Sequence, residues 1–365
     1  MKRATLASIC KYADAGTEID NITLDNYIST ENMLPNKCGI TQATSLPSCN
    51  KVKAYSEGNV LVSNIRPYFK KIWFATNNGG CSNDVLVFRA NENTDSKFLY
   101  YLLADDNFFN FSTATSKGTK MPRGDKKAIM QYEAPIFDIA EQKAIAAVLS
   151  ALDDKIEVNR AINKNLEEYA NTVYQTFFSQ KSDIKGKVVT LDEYCSIFTG
   201  KRNANDSVNG GKYPFFTCSP DTLTIDSYIY DGNAIIISGN GSYTGRTRFY
   251  SGKFDLYQRT YACTLMKYAN PDYIFALYWF IKLELSKRLM GGTRGSAIPY
   301  IVMNDLAKFE FIHNESVFNS YVPVFKNITK MILHNETENQ RLAAIRDALL
   351  PKLMSGEIDV SQVKI

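Results

Sequence analysis

EQKAIAAVLSALDDKIEVNRAINKNLEEYANTVYQTFF, residues 141–178, decides the architecture. Neither proline nor glycine interrupts it, and Asp138 with Glu141, just after Pro135, has the spacing of a capping box. Alternating steps of four and three select Ile145, Leu149, Leu152, Ile156, Asn159, Asn163, Leu166, Ala170, Val173 and Phe177. This is a heptad seam, and it predicts one long helix of the coiled-coil kind. Adding 176 to the positions from Leu149 onward gives Phe325, Ile328, Ile332, Asn335, Asn339, Leu342, Arg346, Leu349 and Leu353. The seam is therefore repeated over about 321–355, with its Asn-x-x-x-Asn pair, and Gly356 stands where a helix C-cap belongs. One amphipathic helix is ordinary core packing. Two with matching seam polars, each costing stability and fixing register, predict that the helices pack on each other.

Working outward, the segments before each helix echo one another. Thr5-Leu6-x-x-x-Cys10 matches Thr190-Leu191-x-x-x-Cys195, and Gly58-Asn59 heading VLVS matches Gly232-Asn233 heading AIIIS. Gly118-Thr119-Lys120 matches Gly292-Thr293-Arg294. The chain thus reads as a globular segment (1–140), a helix (141–180), a second globular segment (181–320), and a helix with its tail (321–365). The tail SGEIDVSQVKI corresponds to Ser179–Val189, which leads into Thr190, so a cyclic arrangement with neighbouring termini is expected.

Composition sets bounds. In 365 residues, 42 basic and 38 acidic side chains leave a net +4, and 45% of residues are hydrophobic. Residues 1–140 carry 16 basic and 14 acidic groups, and 184–320 carry 15 and 12, so each globular segment is slightly basic. That permits an anionic partner without identifying one. No run of 18 apolar residues exists and no signal peptide is read, so neither a membrane nor an export route is expected. Seven cysteines without a C-x-x-C pattern point to a reducing, cytoplasmic setting.

Three strings carry a family resemblance: LLPKLMSGEIDV at 349–360, AEQKAIAAVLSALDDKIEVNRAINKNLEEY at 140–169, and VLVSNIRPYFKKIWFA at 60–75. With the duplication, the chain resembles the specificity subunit of prokaryotic type I restriction-modification systems. The resemblance implies an α+β variety of α/β fold, with two target recognition domains related by pseudo-two-fold symmetry. Two long helices forming an antiparallel coiled coil would join them and dock methyltransferase subunits. It further implies double-stranded DNA as ligand and a restriction subunit as a further partner. S-adenosylmethionine, ATP and Mg²⁺ would bind those partner chains, with no cofactor or metal on this one. A helix of 38 residues is about 57 Å long, matching roughly 17 base pairs of duplex.

Phosphates are met by Lys, Arg, hydroxyls and backbone N–H groups, and bases by side chains in the grooves. Candidate DNA contacts in the first segment are Arg66, Lys70 and Lys71, interleaved with Tyr68 and Phe69, and the loop Lys117, Thr119, Lys120 and Arg123. In the second they are Lys201, Arg202, Tyr243, Arg246, Arg248, Arg259, Thr293 and Arg294. The two Gly-Thr-basic loops rank first because they recur.

Enzymatic readings are weak. Gly241-x-x-x-Gly245-Arg246-Thr247 departs from a P-loop in spacing and in Arg for Lys. Asp272, Glu284 and Lys287 lack the alternation a metal-nuclease strand requires, and Cys10 and Cys195 read as core residues. A non-catalytic chain is expected. The alternatives are a stand-alone DNA-binding regulator, or a nuclease or fused modification enzyme.

Overall fold

The structure is a computed structural model that describes residues 2–179, 185–267, 269–290 and 298–363. It comprises two units, Met1–Val158 with Glu338–Ile365, and Asn159–Thr337.

The first unit is built from strands β1 (Arg3–Thr5), β2 (Cys10–Tyr12), β3 (Gly16–Glu18), β4 (Tyr27–Ile28), β5 (Lys51–Tyr55), β6 (Val60–Ser63), β7 (Ile72–Phe74), β8 (Gly79–Cys81), β9 (Val85–Ala90) and β10 (Glu133–Pro135). Helices α1 (Ser96–Ala104), α2 (Asp106–Ala114) and α3 (Lys126–Ile129) follow β9, and α4 (Ile139–Phe177) follows β10. One sheet has the order β2-β9-β6-β7 and a second β3-β5-β8-β4, while β1 pairs with β10. The central strands are apolar on both sides because both sides are covered. Val60, Val62, Leu86 and Phe88 enter a core shared with α1, α2 and the long helices. Their neighbours Leu61, Val85 and Val87 face the core beneath the second sheet. That is the period of two expected of a pleated strand buried on both faces.

The second unit contains β11 (Lys187–Thr190), β12 (Cys195–Thr199), β13 (Tyr213–Phe216), β14 (Thr222–Ile225), β15 (Tyr230–Ser238), β16 (Thr247–Leu256), β17 (Thr260–Leu265) and β18 (Glu310–His313). Its helices are α5 (Tyr273–Phe280), α6 (Ser286–Leu289), α7 (Met303–Ala307) and α8 (Glu315–Ser355). Six strands form one sheet, β12-β17-β15-β16-β13-β14, and β11 pairs with β18. Here too the central strand splits its side chains, Ile235 and Ile237 to the helical core and Ala234 and Ile236 to the other face. Most pairings are antiparallel; β4–β8 and β13–β16 are parallel. The class is α+β.

The expected repeats appear as matched local structures. Leu6 and Leu191 are both fully buried, each starts a short 3-10 turn, and each is followed by a buried cysteine, Cys10 or Cys195. Burial pushes both thiols up to about 12, so they are inert core residues. The Gly232 correspondence differs in detail. Gly58 precedes β6, whereas Gly232 lies inside β15, opposite Gly252 of β16, because that hairpin extends further.

The long helices start earlier than their seams indicate. Asp138 and Glu141 exchange the reciprocal bonds of a capping box, at 2.8 and 3.2 Å. α8 begins at Glu315 rather than 321, since Asn314 accepts a bond from the Val317 N–H at 3.1 Å and Phe318 and Val322 extend the buried face. Gly356, at φ 70°, ends it as expected.

Within the first unit the two helices run antiparallel. Lys155 lies 3.7 Å from Glu338, and Asp153 lies 2.6 Å from Arg346. Ile145, Leu149, Leu350 and Leu353 pack in the same core. Within the second unit they are again antiparallel: the Asn335 side chain donates to Asn163 Oδ1 at 2.7 Å, and Phe177 stacks on Tyr321. Leu152, Ile156 and Asn159 are buried, as are Ile328 and Ile332; Leu166, Asn339, Leu342 and Leu349 are half-buried. In the first unit Ile358, Val360 and Val363 pack on the core containing Leu6, so the described tail and the turn that follows β1 share one core.

Candidate nucleic-acid interface

In the first unit, the two candidate segments named from sequence meet. Arg66 N–H donates to the Pro122 carbonyl at 2.8 Å, and Gly124 N–H donates to Asn64 at 3.0 Å. Lys117 and Arg123 exchange backbone bonds at 2.8 and 2.9 Å, closing a loop whose tip is Gly118–Pro122. Thr119, Lys120 and Met121 are exposed there, and Gly118 at φ 95° makes the bend that an L side chain disfavours.

Beside it stands a five-residue turn, Arg66–Lys70. Its two ends, Arg66 and Lys70, are left-handed at φ 50° and 51°, and Pro67 between them is buried. A third segment, absent from the sequence candidates, pins this turn. Asn36 and Lys37 donate their N–H groups to Phe69 and Lys70 at 2.8 and 3.0 Å. Lys37 and Lys70 then share Asp106, the first residue of α2, at 3.0 and 2.8 Å. The result projects Tyr68 (48% exposed) and Phe69 (38%), their rings 4.8 Å apart.

Most candidate cations in this unit already have internal partners. Lys71 donates to the Thr30 carbonyl at 2.6 Å, and burial lowers its pKa. Arg123 pairs with Asp84 at 3.2 Å. Lys117 pairs with Asp125 at 2.6 Å; that bond, with the N–H groups of Ala128 and Lys127, holds the Asp125 carboxyl down to about 2. Arg66 is half-buried. Lys120 has no ion-pair partner among the described residues. Exposed pairs of this kind are weak because water screens both charges, so a phosphate can take the place of the carboxylate.

In the second unit the described candidates also converge. Gly239 N–H donates to the Arg259 carbonyl, and Gln258 N–H to that of Arg202, both at 2.9 Å. The chain can pass from Lys201 to Arg202 beside β16 because Gly200 has no side chain; a Cβ there would collide with the Leu256 carbonyl. Arg202 donates to Ser227 Oγ at 3.3 Å. Arg248 donates to the Ser219 carbonyl, lies over the Phe216 ring, and is brought down to about 10 by burial and by Arg246. Arg246 covers the exposed Tyr243 ring, 5.9 Å from its centroid. Arg259, Lys201 and Tyr243 are exposed. Thr293 and Arg294 lie outside the described residues, so the matched Gly-Thr-basic loops cannot be set side by side.

The carboxylates of the nuclease alternative are engaged elsewhere: Asp272 holds Lys326 at 2.7 Å, and Glu284 holds Arg288 at 2.5 Å. Among the described residues no group of three metal-ligating side chains converges, and no helix is long and apolar enough to cross a membrane. The arrangement is therefore two surfaces of cations, hydroxyls and exposed rings on rigid backbone. Such surfaces suit contact with a polyanion.

Comparison with known proteins bears on this. A family model described as the type I restriction modification DNA specificity domain matches residues 5–168 and again 184–312. The chain is 31% identical over 185 residues to the specificity subunit of the type I restriction enzyme EcoDI of Escherichia coli, which is 49% of this chain and 40% of that protein. It is 22% identical over 304 residues to the MjaIX specificity subunit of Methanocaldococcus jannaschii, or 73% of this chain and 70% of that one. The match thus spans less than half the length of the EcoDI subunit. In fold, the chain is similar to the crystal structure of the type I restriction-modification S subunit from M. genitalium. The TM-score is 0.62 at 19% identity, over 97% of this chain and 96% of that one.

Proposed function

This chain belongs to the family of type I restriction-modification DNA specificity domains, and from that premise we propose that it is the non-catalytic DNA-recognition subunit of such a system. Its target recognition domains, about 1–140 and 181–320, would each take one half of a split duplex target. The long helices would dock methyltransferase subunits and, through them, a restriction subunit. S-adenosylmethionine, ATP and Mg²⁺ would bind those partners, in the cytoplasm of a prokaryote.

The observation carrying this reading is the doubled match of the specificity domain, over 5–168 and 184–312. Each match coincides with a sheet domain that presents exposed rings and cations on tied loops. Phosphate contacts fall to Lys117, Lys120, Arg123, Lys201, Arg202, Arg246 and Arg259, with the ion pairs of Lys117 with Asp125, Arg123 with Asp84 and Arg202 with Asp255 (3.9 Å) opening to the DNA backbone. Lys70, Lys71 and Arg248, which are internally bonded, shape the loops.

Copurification separates this from the stand-alone regulator. The chain expressed with its methyltransferase subunits is expected to elute as one assembly that binds a split target more tightly than the chain alone. A monodisperse free chain that binds a target as tightly without them would favour the regulator. Cleavage or methylation of DNA by the purified chain unaided would favour the enzyme.

A further inference from the structure

The turn that projects Tyr68 has a counterpart in the second unit, and the backbone identifies it residue by residue. Ser63 N–H donates to the Lys71 carbonyl at 3.0 Å, and Ser238 N–H donates to the Arg246 carbonyl at 2.9 Å. Arg66 N–H reaches the Pro122 carbonyl at 2.8 Å, and Gly241 N–H the Pro299 carbonyl at 3.0 Å. The residue after each of those prolines bridges back, Arg123 to Ile65 and Tyr300 to Asn240. Phe69 N–H closes onto Arg66 at 3.0 Å, as Thr244 N–H closes onto Gly241 at 3.1 Å.

The left-handed positions coincide as well. Arg66 and Lys70, at φ 50° and 51°, correspond to Gly241 and Gly245, at 82° and 85°. A constant offset of 175 thus aligns Ser63–Lys71 with Ser238–Arg246. It places Tyr68 on Tyr243, each 48% exposed, and Lys71 on Arg246. On the segment each turn is bonded to, an exposed apolar residue precedes the proline: Met121 (48%) in one unit and Ile298 (64%) in the other.

Around this knob the units have diverged. Phe69, exposed, corresponds to Thr244, buried and bonded to the Gly241 and Pro299 carbonyls at 2.7 and 3.0 Å. The first unit anchors its knob through Lys37, Lys70 and Asp106, the second through the Thr244 hydroxyl and the Pro299 carbonyl. Holding two non-glycine residues left-handed costs roughly 1–3 kcal/mol each. The first unit keeps that geometry with Arg66 and Lys70 rather than glycines, so the shape itself is being retained. What stays fixed in both while their surfaces differ is one exposed tyrosine on a tied turn, an exposed apolar residue on the segment bonded to that turn, and a basic residue three positions after the tyrosine.

We propose that Tyr68 and Tyr243 are matched DNA-contacting residues, one in each domain. Each ring, with Met121 or Ile298 on the segment bonded to its turn, presses into a groove of the duplex at a base step. It adds affinity without choosing bases, while the loops that differ between the units read sequence. Apolar side chains on a rigid turn within a basic surface suit that kind of contact, and an aromatic ring carries large contact area at low entropic cost. The inference rests on the DNA-recognition reading above.

The test uses the full chain assembled with its methyltransferase subunits. Tyr68→Ala and Tyr243→Ala are measured singly and together, with Tyr68→Phe and Tyr243→Phe as ring-preserving controls. Duplexes carry the methylated motif or a single base-pair change in either half. Each alanine variant is expected to bind about ten-fold more weakly to every duplex, at the lower end of ring-stacking contributions. Discrimination between the duplexes and the motif methylated should stay unchanged, and the phenylalanine variants should bind as the parent does. Unchanged affinity in the double alanine variant, or an altered base preference in either single one, overturns the proposal. A parent assembly with no preference for any split duplex removes the recognition reading and this inference with it.

Discussion

At the scale of single residues, the pivot of the first interface is Asp106. Burial acts to raise its carboxyl pKa, but the ammonium groups of Lys70 and Lys37 outweigh that and hold it below the usual carboxylate range. Its folded pKa is depressed, so its contribution is present above the ordinary Asp value of about 3.9 and is lost as pH falls through the lower folded value. Asp106 is half exposed, which limits the two bonds together to less than about 1 kcal/mol. Asp106→Asn should therefore barely shift the urea midpoint at pH 7, yet speed hydrogen exchange at the Lys70 amide, since the turn loses its anchor. Exchange at the parent rate would show that the backbone bonds alone hold the turn. At this scale the sequence was least legible. Lys70, Lys71 and Arg123 read as free phosphate ligands, but they are bonded to Asp106, Thr30 and Asp84, between 36 and 41 residues away in the chain. No spacing rule reaches that far. Lys37 was missed for the same reason. Tyr68 was named merely as an interleaved aromatic, although the pattern Ser-x₄-Tyr-x₂-basic at 63–71 and 238–246 was present to be found.

At the scale of elements, the heptad seam was the most legible feature, because a helix buries a stripe whose period is local. Both Asn-x-x-x-Asn pairs were visible, and the Asn163–Asn335 bond is the outcome. How each domain docks on its helices was not visible. In the first unit, Tyr101 of α1 donates to Asp153 of α4 at 2.7 Å, and Asp153 also holds Arg346 of α8. In the second, Trp279 of α5 donates to Thr329 of α8 at 2.9 Å, and Ala170 of α4 is fully buried near by. The offset of 176 maps Asp153 to Thr329 and Ala170 to Arg346. One unit thus docks its domain on the helices with a tyrosine bonded to an Asp–Arg ion pair, the other with a larger ring and a smaller seam residue. The seam asparagines give a quantitative expectation. Asn335→Leu should cost about 1–2 kcal/mol, since Asn163 loses its partner. The double variant Asn163→Leu with Asn335→Leu should recover most of that loss, because two facing leucines suit the seam. A double-mutant cycle in urea measures the coupling; additive losses would mean that the bond is not what the pair supplies. The target sequence methylated should not change in either variant.

At the scale of the whole molecule, the duplication organises everything else. Each unit closes its domain in the same way, a strand before the sheet pairing with one just before the long helix: β1 with β10, and β11 with β18. Each then buries an equivalent leucine and cysteine. The count of two domains and their order along the chain were readable from repeats, since repeated core positions survive divergence of the surface. Which loops face a ligand was less readable, because the tying contacts are long-range. The net charge of +4 accords with two slightly basic domains in which some interface cations, Lys70, Lys117 and Arg123 among them, are balanced by neighbouring carboxylates. The central claim is that this chain chooses a split DNA target for partner enzymes. Its most direct measurement is long-read methylation profiling of the host, with this gene intact and deleted, the rest of the system unchanged. The account predicts that one bipartite methylated motif disappears on deletion and returns when the gene is restored. A methylation pattern identical with and without the gene, in a strain whose methyltransferase is otherwise active, would contradict it.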